Sequence, residues 1–562
     1  MSTNVSKQKR KDLTDKIKKI HKYIAIAKQD ENTRQFLVWL SEIEKEIDTK
    51  KFGLVFEKHR EAIDDTLETH TPVLTENKKL FIDNGSQVNF LIEGDNLAAL
   101  QLLLKTHKGK VDLIYIDPPY NTGNKTWKYN NDYVNKDDTF RHSKWLSFMK
   151  YRLLIAKKLL KETGIFVCAI DDYEFAELKL LIDEVFSEQN RLGTIVVIHN
   201  PGGRQDEKFF PTAHEYMLIY GKNILKSKVN TLSLSEEKIA QYTNSDKFGK
   251  YKLRGFRRSG ANSRRKDRPN LYYPIYYNNK TGELTIEEKR NFIKLLPIDA
   301  EHIERCWRWN PKTFIDKKTK YIEVKEKNGN YDLYVKERED DNIGERAKTF
   351  WFKPKYASVG GTSILKTIFN TTDKIFDYPK SLDLMIDVIK VTSNPNSVIL
   401  DFFAGSGTTG HAVMELNQEG SNRQFILCTN NENNICRDVT YKRLLNAIKK
   451  EDYSASLKYY KIDYIPISDK LYYEYADELL EHIRELVELE NAINFLGNDK
   501  IAIVLTDEEL DDFVKNIKKN KNCRKLYRAH NVLVSGDQKE KLKFAKVKVN
   551  VIPDYYYGDM EI

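Results

Sequence analysis

The rhythm of apolar and polar positions changes several times along the 562 residues, and each change marks an element or a domain edge. Through residues 1–80 apolar groups recur at helical spacing among Lys and Glu, as in Ile17–Ile24 and Phe36–Leu40. That pattern predicts a helical N-terminal region whose charges are solvated helix surface. From residue 81 to 222 short β-branched and aromatic runs alternate with amphipathic stretches. Strands are predicted over 89–93, 111–116, 164–170, 193–199 and 214–220, helices over 96–105, 143–160 and 174–186, and a polar loop over 121–138. Between 223 and 370 the helical period fades, and aromatics, Gly and basic residues mix irregularly. The alternation resumes over 371–464, with a helix at 382–391, a strand at 397–401, a helix at 410–417 and a strand at 424–428. Residues 465–562 read as a separate small α/β unit: a helix over 471–496, acidic on one face, a strand at 500–505, a helix at 508–516 and short β segments. Strands alternating with helices predict a parallel or mostly parallel sheet. The expected chain is therefore an α/β core in two halves, 81–222 and 371–464, interrupted by an insert.

Composition narrows the class. Hydrophobic residues at 40% and charged residues at 31% supply ample core for several domains. No apolar run approaches the ~18 residues of a membrane span, and the first residues lack a signal-peptide apolar segment, so a cytoplasmic protein is expected. Five scattered cysteines with no C-x-x-C pair predict neither a disulfide framework nor a structural metal. The net charge of +10 is modest for this length, and it matters because it is clustered. Residues 251–268 hold eight Lys/Arg against one Asp, followed by the aromatic run Leu271–Tyr277. Basic groups interleaved with aromatics suit phosphate contacts and base stacking. A solvated loop is the plainer alternative, but placement as an insert in an α/β domain favours nucleic acid. Arg257, Arg258, Arg264 and Arg265 are the candidate DNA contacts.

Two turns carry chemistry. The strand at 111–116 halts at Asp117-Pro118-Pro119-Tyr120, the only adjacent proline pair among 14 prolines. An exocyclic amine on a base ring is a poor nucleophile because its lone pair is delocalised. A carboxylate (Asp117) and a backbone carbonyl (Pro118) accepting its two N–H groups would draw the nitrogen toward a tetrahedral, nucleophilic form. The prolines preorganise those acceptors, and Tyr120 offers a flat face to an extruded base. An ordinary Pro turn after a strand is the bland alternative. Downstream, Asp401-Phe402-Phe403-Ala404-Gly405-Ser406-Gly407 joins a strand to a helix. Its small residues permit close approach of a ligand to backbone. The spacing is neither a dinucleotide fingerprint nor a P-loop. After the strand at 89–93, Asp95 suits a helix N-cap and a cofactor hydrogen bond equally well.

The pair of turns, DPPY first and FxGxG (Phe403–Gly407) later with an insert between them, resembles the beta class of amino-group DNA methyltransferases. The stretches IEGDNLAALQLLL, DLIYIDPPYNTGN, RHSKWLSFMKYRL, FVCAIDDYE, HEYMLIY and VILDFFAGSGTTGHAV, across 85–220 and 375–450, resemble the modification (Mod) subunits of type III restriction–modification systems. The resemblance implies a Rossmann-like methyltransferase core with an inserted target-recognition domain, S-adenosylmethionine as cofactor, and N6 of adenine in double-stranded DNA as target. Cytosine enzymes usually carry Ser at the first position of DPPY. It also implies a Mod homodimer, and a Res helicase–nuclease subunit as partner. Asp117, Pro118, Pro119 and Tyr120 become the catalytic loop. Asp401, Phe403, Gly405 and Gly407 line the methionine side of the cofactor, Asp95 lies near its adenine, and Glu432 is the candidate ribose ligand. Lys380, in Tyr378-Pro379-Lys380-Ser381, helps close the cofactor pocket. Phe210, or its neighbour Phe209, is the candidate for a second aromatic wall against the flipped base, and a place in the core suits either equally well.

Overall fold

The computed structural model describes residues 5–26, 31–48, 54–85, 87–129, 132–135, 137–203, 207–327, 329–341, 344–467, 482–495, 498–529 and 531–552. The chain divides into two compact units, one of residues 1–228 and 348–562 and one of residues 229–347.

The first unit is organised on a ten-stranded sheet. Its strands are β1 (His70–Glu76), β2 (Val88–Glu93), β3 (Val111–Ile116), β4 (Leu160–Ile170), β5 (Arg191–Ile198), β6 (His214–Gly221), β7 (Phe350–Trp351), β8 (Val398–Asp401), β9 (Gln424–Thr429) and β10 (Ser456–Pro466). Their order across the sheet is β1-β10-β2-β9-β8-β3-β4-β6-β5-β7. Only β1 and β6 run against the rest. Parallel strands need both faces covered, which is why β2 and β9 are apolar runs rather than alternating ones. Helices supply the cover. Leu100, Leu103 and Leu104 of Asn96–His107 and Trp145, Met149 and Leu153 of Arg141–Leu159 share one core with Phe90, Ile114 and Ile426 of the strands.

Several expected edges move. The N-terminal 80 residues are not wholly helical: after helices Val5–Ile26, Glu31–Asp48 and Ala62–Thr69, the chain enters β1. That strand pairs with β10, a segment where no element is expected from the sequence pattern. In both segments β-branched and aromatic residues are interrupted by charges, so neither pattern announces a sheet strand. The 121–138 loop contains a hairpin, Asn124–Tyr129 with Asp132–Asn135. The compact insert ends at residue 347, not 370, because β7 adds to the edge of the main sheet beside β5 and the helix Ser358–Phe369 follows it. Of the helix predicted over 471–496, Ile483–Asn491 is seen, and its Ile483, Leu486, Val487 and Leu489 pack into the main core. Residues 471–481 and 496 lie outside the described residues. Beyond it, parallel strands Ile501–Val504, Lys525–Arg528 and Lys548–Val551 carry the helices Asp507–Lys515 and Gly536–Phe544 on a small core of their own.

The second unit contains a four-stranded and a three-stranded antiparallel sheet. Its core is aromatic, with Phe256 stacked on Trp307 at 5.2 Å between ring centres. The run at 271–277, expected as a stacking surface, largely fills this core instead: Tyr273, Ile275 and Tyr276 are buried.

Candidate active site

Four neighbouring strands, β2, β9, β8 and β3, deliver their carboxyl ends to one edge of the sheet, where ligands of open α/β sheets bind. The turns that follow them line a cleft of about 500 Å³. Gly94, Asp95 and Asn96 come from the end of β2; Thr429, Asn430 and Glu432 from β9; Phe402, Phe403 and Gly405 from β8; Asp117 and Pro119 from β3. Residues as distant in the chain as Asp95 and Glu432 thus line one cleft. Asp95 caps the helix Asn96–His107 by accepting from the Leu97 amide at 2.7 Å, and it also lines the cleft.

The glycine-rich turn is held from beneath. Asp401 accepts from the Phe403 amide at 3.0 Å and from the Thr409 hydroxyl at 2.5 Å. Burial pushes its carboxyl up to about 7, against those two bonds. Gly407 caps the next helix at φ +77°, a left-handed conformation, and a Cβ there would lie 3.1 Å from Thr440 Cγ2. Thr440 returns a bond to the Gly405 carbonyl at 2.6 Å. The fully buried Arg443 ties Ser406 and Thr408 together from below, at 3.0 and 2.7 Å.

At the Asp117–Tyr120 turn the buried Trp145 indole donates to the Pro119 carbonyl at 2.7 Å and fixes the second proline. Among the described residues no donor reaches the Pro118 carbonyl, the acceptor that the amine chemistry needs. Tyr120 Oη lies 2.7 Å from Asp117 Oδ1 and 3.2 Å from Glu215 Oε2. Lys380 Nζ donates to that phenol at 2.6 Å and to Glu215 at 2.5 Å, and stands 3.3 Å from Asp117. Burial pushes the Asp117 carboxyl up, only partly offset by the Lys380 ammonium. Burial acts on Glu215 in the same sense, but there Lys380, aided by His199, outweighs it and holds the group below the usual carboxylate range. Lys380, expected at the cofactor pocket, is thus placed against the Asp117–Tyr120 turn. The reason is local: Ser381 caps the helix Leu382–Thr392 by accepting from Leu384, which sets the preceding residue against Tyr120.

Glu215 was missed. It stands at the start of β6 within an apolar strand, and β6 is antiparallel to its neighbours. Its first residues therefore reach the edge where the parallel strands end. A second buried acid braces the turn from behind. Asn121, at φ +55°, donates to Glu174 Oε1 at 2.5 Å, and His142 Nδ1 is 2.7 Å from the same oxygen. Arg141 Nε donates to His142 Nε2 at 3.1 Å, so the ring proton lies on Nδ1 and points at Glu174. Burial pushes Glu174 up to about 8.

The cleft has one more wall. Glu61, Ala62, Ile63 and Thr66, from the start of the short helix Ala62–Thr69, line it although the N-terminal region was read as solvated surface. Glu61 holds the fully buried Arg152 at 2.5 Å, and Arg152 also donates to Asn96 and approaches Asp95 at 3.6 Å.

The predicted DNA contacts fall in two places. Phe210 and Phe209 are 91% and 79% exposed on the segment leading into β6, not in the core. In the insert, Arg264 and Arg265 are exposed, with Arg265 paired to Glu304 at 3.0 Å and lying 4.3 Å over the Tyr272 ring. Arg257 is engaged internally, donating to the Ile298 carbonyl at 2.6 Å, and the Arg258 amide donates to the Cys306 carbonyl at 2.9 Å. No helix among the described residues is long and apolar enough to cross a membrane.

Residues 111–442 match the family profile described as DNA methylase. The chain is 40% identical over 352 residues to the type II methyltransferase M.KpnI of Klebsiella pneumoniae, a match covering 62% of this chain and 82% of that enzyme. It is 31% identical over 413 residues to the type III restriction–modification enzyme EcoPI Mod subunit of Escherichia phage P1, covering 66% of this chain and 63% of that subunit. This chain therefore spans less than two thirds of that Mod subunit's length. Among solved structures it resembles the PvuII DNA methyltransferase (cytosine-N4-specific), with TM-score 0.32 and 12% identity over 65% of this chain and 93% of that one.

Proposed function

The chain belongs to the DNA methylase family, and from that premise we propose that it methylates N6 of adenine in double-stranded DNA at a specific sequence. The observation that carries this reading is the meeting of the two turns. Asp117, beside a Pro118 carbonyl that no described donor reaches, opens on the same cleft as the glycine turn. S-adenosylmethionine supplies the electrophilic methyl group when bound. The residues present fit it: a cleft of about 500 Å³ falls within the range of roughly 300–1,000 Å³ usual for small-molecule sites. Gly405, in the left-handed region at φ +48°, lines the cleft with no side chain of its own, and Phe403, Asp95 and Glu432 line it too, whereas Gly407 packs against Thr440 behind it.

The chain's own groups perform the rest. An adenine turned out of the duplex lays its ring against Tyr120. Its two N6 hydrogens are accepted by Asp117 and the Pro118 carbonyl, which localises the nitrogen lone pair and aims it into the cleft. Transfer leaves one proton in excess on N6, and Asp117 is the base in contact with it. The two Pro residues and the Trp145 bond make this geometry available before the base arrives, so alignment supplies much of the acceleration. An Asp rather than Ser at the head of the turn supports adenine over cytosine. The insert, with Arg264 and Arg265 on its surface, is the proposed reader of the DNA sequence. Phe210 and Phe209 are proposed to meet the DNA around the displaced base.

In the reading that similarity to the EcoPI Mod subunit supports, this is the modification subunit of a type III system, acting as a Mod homodimer and lending recognition to a Res subunit. The greater identity to M.KpnI, over more of that enzyme's length, favours a second reading as a stand-alone type II methyltransferase. Single-molecule sequencing of genomic DNA from cells expressing the wild type or Asp117→Ala separates them. N6-methyladenine on one strand of a short asymmetric motif, lost in the variant, supports the type III reading. Marks on both strands of a palindrome support type II. An N4-methylcytosine signal in place of either overturns the adenine assignment.

A further inference from the structure

The cluster around the Tyr120 hydroxyl contains more acceptors than its proton can serve. A phenol has one hydrogen to donate, yet two carboxylates stand within reach, Asp117 Oδ1 at 2.7 Å and Glu215 Oε2 at 3.2 Å. The phenol oxygen is itself held by a donor, Lys380 Nζ at 2.6 Å, so the oxygen stays in place whichever carboxylate receives its proton. Lys380 is pinned in turn, at 2.5 Å from Glu215 and 3.3 Å from Asp117. Glu215 and Lys380 are largely screened from water, so solvent is a poor substitute for either contact.

The distances point the phenol hydrogen toward Asp117, the nearer of the two carboxylates. That arrangement competes with catalysis. A carboxylate oxygen already engaged by a phenol and an ammonium has less electron density to offer the N6 amine, which is the donor it must hold for transfer. The longer contact to Glu215 supplies the alternative. Rotation of one O–H bond moves the hydrogen from Asp117 to Glu215 without displacing a heavy atom.

We propose that Glu215 is a positioning residue for the Tyr120 phenol, accepting the hydrogen bond of its O–H when the target amine arrives and so freeing Asp117 Oδ1 for that amine. The proposal rests on the methyl-transfer reading above and deepens it. Glu215 touches neither base nor methyl donor; it acts through Tyr120, while Lys380 keeps the three oxygens in register.

A double-mutant cycle on the full-length protein tests this, with single-turnover methylation of an adenine-containing duplex as the rate, and cofactor and DNA affinities measured separately. Wild-type transfer to adenine N6 is established first; its absence overturns the functional reading itself, before any variant is compared. Given that transfer, Glu215→Leu is expected to slow the methylation step about tenfold, with both affinities within about twofold of wild type. In a Tyr120→Phe background the same substitution is expected to change the rate less than about twofold, because no phenol proton is left to redirect. Glu215→Gln keeps an uncharged acceptor and is expected to stay within about threefold of wild type. Equal losses from Glu215→Leu with and without the phenol would overturn the proposal, assigning Glu215 to Lys380 or to packing. So would a Glu215→Gln variant as slow as Glu215→Leu, since charge rather than acceptance would then be what matters. Should the Leu variant not fold, Glu215→Met, also without an acceptor, takes its place in the same cycle and is judged by the same outcomes.

Discussion

Asp401 should make the central sheet lose stability as pH rises through the range where most proteins are most stable. Its side chain is 2% exposed, and burial holds its carboxyl at about 7 despite bonds from Thr409 and the Phe403 amide. In the unfolded chain an aspartate titrates near ~3.9. Below about pH 4 both states are protonated and the group costs nothing. Between about 4 and 7 the unfolded chain releases a proton that the folded chain keeps, so stability falls with pH. A difference of about three pKa units corresponds to about 4 kcal/mol, complete once pH passes the folded value. Asp401→Asn removes the titration while keeping the contacts: Oδ1 still accepts from Phe403, and the amide nitrogen donates to the Thr409 hydroxyl. The variant should therefore gain on the wild type by about 2.5 kcal/mol between pH 5 and 7.5. A chain of several domains does not unfold in one step. Hydrogen exchange of peptides covering residues 398–409, compared between the two proteins at each pH without cofactor, isolates the sheet and cancels the intrinsic exchange rate. Protection should diverge by roughly fifty- to hundredfold across that window. Parallel curves, within about 1 kcal/mol, would refute the assignment of Asp401 as a buried, neutral anchor of the turn.

Three further outcomes follow from the same geometry. Gly407→Ala, at φ +77° with its new methyl 3.1 Å from Thr440, should cost about 1–2 kcal/mol in thermal unfolding and weaken S-adenosylmethionine binding in calorimetry. Unchanged cofactor affinity would remove the glycine turn from the cofactor site. Arg152→Met strands Glu61 beside the cleft, and a loss of about 3–5 kcal/mol is expected. Adding Glu61→Gln should restore part of that loss, and no recovery would show that Arg152 acts through packing alone. Arg265→Ala breaks a half-exposed pair with Glu304 and should change stability by less than about 1 kcal/mol. Its effect should appear in DNA affinity, with the slope of log K against log salt falling by about one, and an unaltered slope would take Arg265 off the DNA.

The local physics of the chain was legible without coordinates. A β-branched run stopped by paired prolines can only be a strand with a rigid end, and a strand entering Gly-Ser-Gly before a helix can only be a tight, open turn. Those two stretches, set in the strand–helix alternation that predicts the mostly parallel core, already mark the Asp117 carboxylate and the glycine turn that the structure brings to one cleft. What the sequence could not express is contact between elements whose own patterns are featureless. Glu215 lies 95 residues from Tyr120 and Lys380 lies 260, and neither distance leaves a period in the chain. Glu215 reaches the active edge only because β6 is threaded antiparallel between β4 and β5, a choice of direction that its apolar pattern does not record. The aromatic run of the insert shows the converse: Tyr273 and Tyr276 are as suited to stacking on bases as to filling a core, and burial decided for the core. Periodicity reports which face of an element is apolar; only the packed structure determines what that face, or the polar residue at its end, is set against.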